Sequence, residues 1–216
     1  MYLKGDAMLI ERVIVGPLGV NCFILGDKQS KEGVVVDPGA DCDLVLAAVA
    51  RFGLTIKYVI NTHGHFDHIG CNRAVTERTG AELLVHESDL GLLSLAKKSA
   101  QMYGLQVEDS PAPSRYLTDG MRLEFGRRSI EVLHTPGHTK GGCCLLLRNE
   151  QVVITGDTLF ADSVGRTDLP GGSHEQLMAS IKEKLMPLPD ETVVWPGHGA
   201  SSTIGRERRL NPYING

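Results

Sequence analysis

No stretch of this 216-residue sequence approaches the ~20 consecutive apolar residues of a membrane-spanning helix. The N-terminal MYLKGDAMLIERVIV carries Asp6, Glu11 and Arg12 where a secretory leader needs an apolar run. Neither a membrane nor an export route is therefore expected. Basic clusters are missing too: 22 Lys and Arg are set against 26 Asp and Glu, a net charge of −4. Nucleic-acid backbones are held by clustered Lys and Arg, so a nucleic-acid partner is not expected either. Cysteines are few, odd in number and scattered, at Cys22, Cys42, Cys71, Cys143 and Cys144. A bridge between the adjacent Cys143 and Cys144 would be strained. The pattern reads as free thiols in a reducing, cytoplasmic setting, with Cys71 a small buried filler and Cys143 and Cys144 part of an apolar core strand. There is no internal repeat and no low-complexity tract.

What is present suffices for a core without covalent staples. Apolar residues make up 42% of the chain and charged residues 22%, and a chain of this mass buries about 70% of its unfolded surface. One domain across residues 1–216 is expected. Val-, Ile- and Leu-rich runs recur at short spacing: LIERVIV, NCFILGD, GVVVDPG, IKYVINT, ELLVHES, SIEVLHT, CCLLLRN, QVVITGD and TVVWPGH. Most end in Gly, Pro, Asp, Asn or Thr, the residues of strand-to-loop exits. Helical patterns lie between them in DLVLAAVARFG, DHIGCNRAVTERTG, ESDLGLLSLAKKSAQMYG and SHEQLMASIKEKLM, the last opening on a Ser173…Gln176 capping pattern. QVEDSPAPSRYLTDG reads as a surface loop. Two sheets with helices packed outside, an α/β layered sandwich, follow from that order.

The chemistry is concentrated at four strand exits. The first is Thr62-His63-Gly64-His65-Phe66-Asp67-His68, after the strand IKYVI. Three imidazoles and a carboxylate in six residues are costly to bury unless something pairs with them, and Gly64 supplies backbone freedom to aim neighbouring side chains at one centre. The second is His134-Thr135-Pro136-Gly137-His138-Thr139. His138 lies beyond the turn and is the ligand candidate, whereas His134 still sits on the strand and reads as a hydrogen-bonded wall residue. The third is Thr155-Gly156-Asp157-Thr158, and the fourth Trp195-Pro196-Gly197-His198-Gly199. Ligand sites in α/β folds favour the carboxyl ends of strands. Mixed imidazole and carboxylate donors suit Zn foremost, with Fe or Mn as alternatives. Seven candidates exceed the three or four ligands of a single catalytic zinc, so a binuclear site is expected. Two divalent ions ~3.5 Å apart repel by roughly 19 kcal/mol at an effective dielectric of about 20, which calls for a bridging anion. Asp157 and a shared hydroxide are natural bridges.

The four segments, in this order and spacing, resemble the metallo-β-lactamase superfamily, and the likeness runs from Asn21-Cys22 and Asp37-Pro38-Gly39 to Arg209-Leu210-Asn211-Pro212. The resemblance implies an αββα sandwich with two divalent metals at one edge. His63, His65 and His138 would hold the first metal, Asp67, His68 and His198 the second, and Asp157 would bridge. Within the superfamily the chain is most similar to short glyoxalase-II-like hydrolases. That implies hydrolysis of S-lactoylglutathione or a related hydroxyacyl thioester by a metal-activated hydroxide, with His63, Asp67 and Asp157 as catalytic residues. Asp157 stands where many β-lactamases of the family carry Cys, which argues against antibiotic hydrolysis. Only 18 residues follow His198, so the C-terminal helical glutathione-binding domain of glyoxalase II is not expected. The string Gly165-Arg166-Thr167-Asp168 is shared with persulfide dioxygenases. Hence the alternative is a mononuclear iron enzyme acting on glutathione persulfide through His63, His138 and Asp157. Arg166 is a candidate for a substrate carboxylate, with pairing to Asp168 as the competing role, and Lys140 and Tyr103 are candidates to line the cleft.

Overall fold

A computed structural model describes residues 8–215. Two six-stranded sheets face one another, and helices cover both outer faces. The first sheet runs in sequence order through β1 (Leu9–Val15), β2 (Val20–Gly26), β3 (Glu32–Val36), β4 (Thr55–Ile60), β5 (Glu82–His86) and β6 (Arg115–Leu117). The second contains β7 (Arg122–Phe125), β8 (Arg128–His134), β9 (Cys143–Leu147), β10 (Val152–Gly156), β13 (Val193–Pro196) and β14 (Ser202–Thr203). A small hairpin of β11 (Leu159–Phe160) and β12 (Ser163–Val164) follows β10. The helices are α1 (Cys42–Phe52), α2 (Phe66–Ile69), α3 (Asn72–Thr79), α4 (Leu90–Met102), α5 (His174–Ser180), α6 (Ile204–Leu210) and α7 (Pro212–Asn215). This is the αββα sandwich that the motifs imply.

The central strands are apolar on both faces because both faces are covered. With side chains alternating along a strand, Phe23 and Leu25 of β2 meet Leu145, Leu147 and Ile154 between the sheets, where Phe23 also stacks on Trp195 at 5.2 Å. Cys22 and Ile24 point the other way, onto Val45 and Val49 of α1 and Val75 of α3. On the opposite outer face Cys144, Leu146 and Val153 pack on Leu177, Ile181 and Leu185. Cys143 and Cys144 are thus core residues of β9, as expected. The long segment DHIGCNRAVTERTG is not one helix. It breaks at Gly70–Cys71 into α2 and α3, because the Cys71 amide donates to the Pro38 carbonyl at 2.8 Å instead of continuing the helix, and Cys71 leaves helical dihedrals at φ −105° and ψ 9°. Ser173 caps α5, its hydroxyl accepting from the Gln176 amide at 3.3 Å, and the helix then loosens into a π-type turn over Ile181–Leu185.

The cysteine reading needs correction. Cys42, at the start of α1, and Cys71, immediately before α3, form a disulfide with Cα atoms 5.4 Å apart. Only Cys22, Cys143 and Cys144 are free and buried. The two partners are 29 residues apart in sequence and meet only because α1 and α3 lie side by side on one sheet. The cysteine pattern therefore gives no support to a reducing compartment, and Cys71 is a cross-link rather than a filler. No helix among the described residues is long and apolar enough to cross a membrane. A closed loop of this size is worth about 3.5 kcal/mol. For a chain this long, strong reductant is expected to lower the calorimetric Tm by about 7–14 °C. An unchanged Tm would show that the bond adds nothing to stability.

Candidate metal centre

Four strand exits, one from the first sheet and three from the second, converge on one edge of the sandwich. The loop after β4 brings His63 and His65, and the first turn of α2 brings Asp67 and His68. The loops after β8, β10 and β13 bring His138, Asp157 and His198. Three groups of donor atoms lie mutually within 4.8 Å: His63, His65 and His138; His63, His68 and Asp157; and Asp67, His68 and His198. All seven expected residues are thus brought together, and His63, His68 and Asp157 connect the two ends of the cluster. The approach needs glycine at two places. A Cβ on Gly197 would sit 2.4 Å from Asp157 Oδ1 and 2.8 Å from the His68 ring, and one on Gly39 would fall 1.6 Å from the Asp67 carbonyl.

Hydrogen bonds from outside fix which nitrogen faces the centre in four of the five rings. His138 Nδ1 donates to the Arg166 carbonyl at 2.8 Å, and His198 Nδ1 donates to the Leu18 carbonyl at 3.0 Å. His68 Nδ1 donates to Asp37 Oδ2 at 3.0 Å. The Thr62 hydroxyl donates to Asp37 at 2.6 Å, so it accepts from His63 Nδ1 at 3.1 Å. These bonds place a proton on the outer Nδ1 of all four rings and turn each Nε2 towards the centre. His63 Nε2 and Asp157 Oδ1 are buried with no hydrogen-bond partner. His138 Nε2 lies 3.0 Å from His65 Nδ1, and His68 Nε2 lies 3.3 Å from His198 Nε2. Imidazole nitrogens and carboxylate oxygens crowded this closely, two of them buried and unpaired, form a donor set that fits metal cations.

Electrostatics point the same way. Burial, reinforced by the neighbouring imidazoles, pushes His63 well below the ordinary histidine range and His65 down to about 3. Burial would also lower His68, but the carboxylates of Asp67, Asp157 and Asp37 outweigh it and raise it to about 10. His198 is raised despite burial by Asp67 and Asp157, and Asp67 is held well below the carboxylate range by His68 and His198, against the effect of burial. One end of the cluster thus holds neutral imidazoles, and the other draws positive charge into a buried place.

The supporting residues are less visible in the sequence. Asp37, 1% exposed, accepts from the Thr62 amide at 2.7 Å as well as from the Thr62 hydroxyl and His68. It holds this position with a backbone φ of 50°, an unfavourable conformation for a residue other than glycine. Asp89, equally buried, accepts from the Gly64 amide at 2.9 Å, the Thr139 hydroxyl at 2.8 Å and the Gly141 amide at 2.7 Å. One carboxylate thereby ties the loop carrying His63 and His65 to the loop carrying His138. Asn21 donates to the Pro196 and Gly199 carbonyls, 2.9 and 3.0 Å away, and so holds the His198 turn.

The other sequence candidates divide. His134 stays on the wall: it stacks on His86 at 4.1 Å, its Nε2 bonds the Lys140 carbonyl at 3.0 Å, and it joins no ligand group. Arg166 orients His138 through its carbonyl, while its guanidinium fork is taken by Asp168 through two 2.8 Å bonds, the competing role. Tyr103 touches Arg166 and packs on Phe66 at 5.4 Å, at the rim. Lys140 is not brought to the centre. It is exposed and lines a separate depression with His134, Pro136, Gly171 and Gly172.

This fold and this edge define a metal-dependent hydrolase class, and the chain belongs to the metallo-beta-lactamase superfamily, whose profile matches residues 15–198. Among its relatives is the hydroxyacylglutathione hydrolase GloC of Haemophilus influenzae, 35% identical over 96% of this chain and 99% of that protein. Two solved structures are similar across nearly their whole length. TTHA1623 in a di-iron-bound form has a TM-score of 0.87 and 39% identity over 94% of this chain and 99% of that one. The BLEG-1 B3 metallo-beta-lactamase has a TM-score of 0.89 and 36% identity over 96% of this chain and all of that one.

Proposed function

We propose that this chain hydrolyses acyl thioesters, S-lactoylglutathione or a related hydroxyacyl thiol, with His63, His65, His138, Asp157, Asp67, His68 and His198 holding two divalent metals, zinc foremost. The observation that supports this reading is the convergence of seven histidine and aspartate donors on one centre, above all the second group of Asp67, His68 and His198. A mononuclear iron site has no need of that group. Two bound cations would polarise the thioester carbonyl and bring the pKa of a water from 15.7 towards about 7.

The chain's own residues do the rest. Asp67, kept ionised by its two imidazole neighbours, would accept a hydrogen bond from the attacking water and orient it rather than take its proton. His63 and His138, buried and held from outside by the Thr62 hydroxyl and the Arg166 carbonyl, keep their side of the centre from rearranging when substrate arrives. The departing thiolate is a good leaving group, so no strong protein acid is required. At the rim Arg166 would meet a substrate carboxylate by exchanging it for Asp168.

The test is an anaerobic assay. Metal-loaded protein is expected to release thiol from S-lactoylglutathione without oxygen, and to show no oxygen uptake with glutathione persulfide. The similarity to a B3 metallo-beta-lactamase makes a β-lactam the control substrate, which is expected to stay intact. Oxygen consumption with persulfide, one iron per chain and no anaerobic thiol release would overturn the reading in favour of the dioxygenase.

A further inference from the structure

Beside the metal centre the surface folds into a cleft of about 360 Å³. Its walls are apolar: Val15 and Leu18 from the β1–β2 hairpin, Phe66 from α2, Ala74 from α3, and Leu105 and Val107 from the segment after α4. The Cys42–Cys71 disulfide lines it as well and fixes the start of α1 against the start of α3. The cleft adjoins the centre through two residues. Asp67 belongs to its lining, and Leu18, 40% exposed at the hairpin tip, gives its carbonyl to His198 Nδ1.

We infer that this cleft is the acyl subsite of the proposed thioesterase and that it takes an apolar acyl group of medium length. The inference rests on the thioester reading. A cavity of this size has room for roughly a dozen water-sized groups at about 30 Å³ each. A lactoyl group would leave most of that apolar wall in water, whereas a six- to ten-carbon chain would cover it. Charge sets the direction of binding. Apart from Asp67, which belongs to the metal centre, the ionisable residues of the lining are Asp41 and Glu108, both acidic. They repel the carboxylates of an anionic thiol and leave the cleft to the neutral acyl half, so that the thiol half runs towards Arg166 and Tyr103. The disulfide holds two walls in place before substrate arrives, which limits the ordering cost of binding. In the reaction the water oxygen joins the acyl carbon, the C–S bond breaks, and its electron pair leaves on sulfur. One water proton ends on the thiol and the product is a carboxylic acid.

The test uses metal-loaded protein with acyl-N-acetylcysteamine thioesters of two, six, eight and ten carbons. Each buried methylene contributes about three- to fourfold. A rise in kcat/KM of at least about thirtyfold from the acetyl to the octanoyl ester is expected, carried mainly by KM. Ala74→Trp, which fills the cleft and touches no candidate ligand, is expected to flatten this dependence while acetyl turnover and metal content stay within about twofold. Val107→Asp on the facing wall should act alike and serves if the first variant does not fold. Titration calorimetry with non-hydrolysable 2-oxoalkyl thioethers of the same lengths gives a readout independent of turnover. Affinity should rise with length in the parent protein and not in the variants. If no thioester is turned over but the analogues show this pattern, the hydrolase reading fails and the apolar subsite stands. Turnover without chain-length dependence, the same dependence in both variants, or a cleft closed by self-association of the protein would overturn the subsite alone.

Discussion

Asp157→Ala is expected to lower metal content to one equivalent or less and activity by at least ~10²-fold. Asp157 is placed where it faces both ends of the cluster. Its Oδ1 is 3.6 Å from His68 Nε2, and its Oδ2 is 3.6 Å from His138 Nε2 and 3.7 Å from His198 Nε2. Oδ1 is buried with no other partner. Removing this carboxylate takes away the anion that offsets the repulsion between two cations. Asp162 offers no substitute, since it is an exposed residue paired with Arg206. Asp157→Asn, which keeps the shape and loses the charge, should fail almost as badly. Metal analysis together with thiol release checks both variants. Two metals and a near-normal rate in the alanine variant would reduce Asp157 to a loop former.

His138→Ala and His134→Ala should differ sharply although the two residues are four apart. His138 is 5% exposed, and its inner nitrogen lies 3.0 Å from His65 and 3.6 Å from Asp157. Its removal is expected to lose the metal beside His63 and His65, with a fall in activity of the same order, at least ~10². His134 only stacks on His86 and bonds the Lys140 carbonyl. Its loss is expected to leave metal content intact and to cost a few-fold in rate at most, through a looser Pro136–Lys140 loop. Metal bound per chain after dialysis, compared across the two variants, decides the matter, and the reverse order would overturn the ligand assignment in this segment.

The layers were legible because runs such as NCFILGD and CCLLLRN are apolar on both faces and end in turn residues, which leaves little room for another reading. The candidate ligands were legible because His63, His65, Asp67 and His68 crowd one strand exit, where burying so many polar groups is costly unless something pairs with them. What stayed hidden is the machinery that acts across the chain. Asp37 looks like the opening of an Asp-Pro-Gly turn, and Asp89 like the edge of a helix. Only the fold shows that the first holds His68 and Thr62, and that the second ties two ligand loops together. The Cys42–Cys71 bond was hidden for the same reason, since scattered sequence positions say nothing about neighbours on adjacent helices. Lys140 misled because its place beside His138 in the sequence suggests the cleft, while its side chain packs towards Gly171 on the far side of the turn.

The most direct test of a two-metal centre is anomalous diffraction from crystals of protein purified without added metal, with data collected on both sides of the zinc and iron edges. The account predicts two anomalous peaks per chain, one among His63, His65 and His138 and one among Asp67, His68 and His198, both beside Asp157. A single peak resting on His63, His138 and Asp157, with Asp67, His68 and His198 holding nothing, would contradict it.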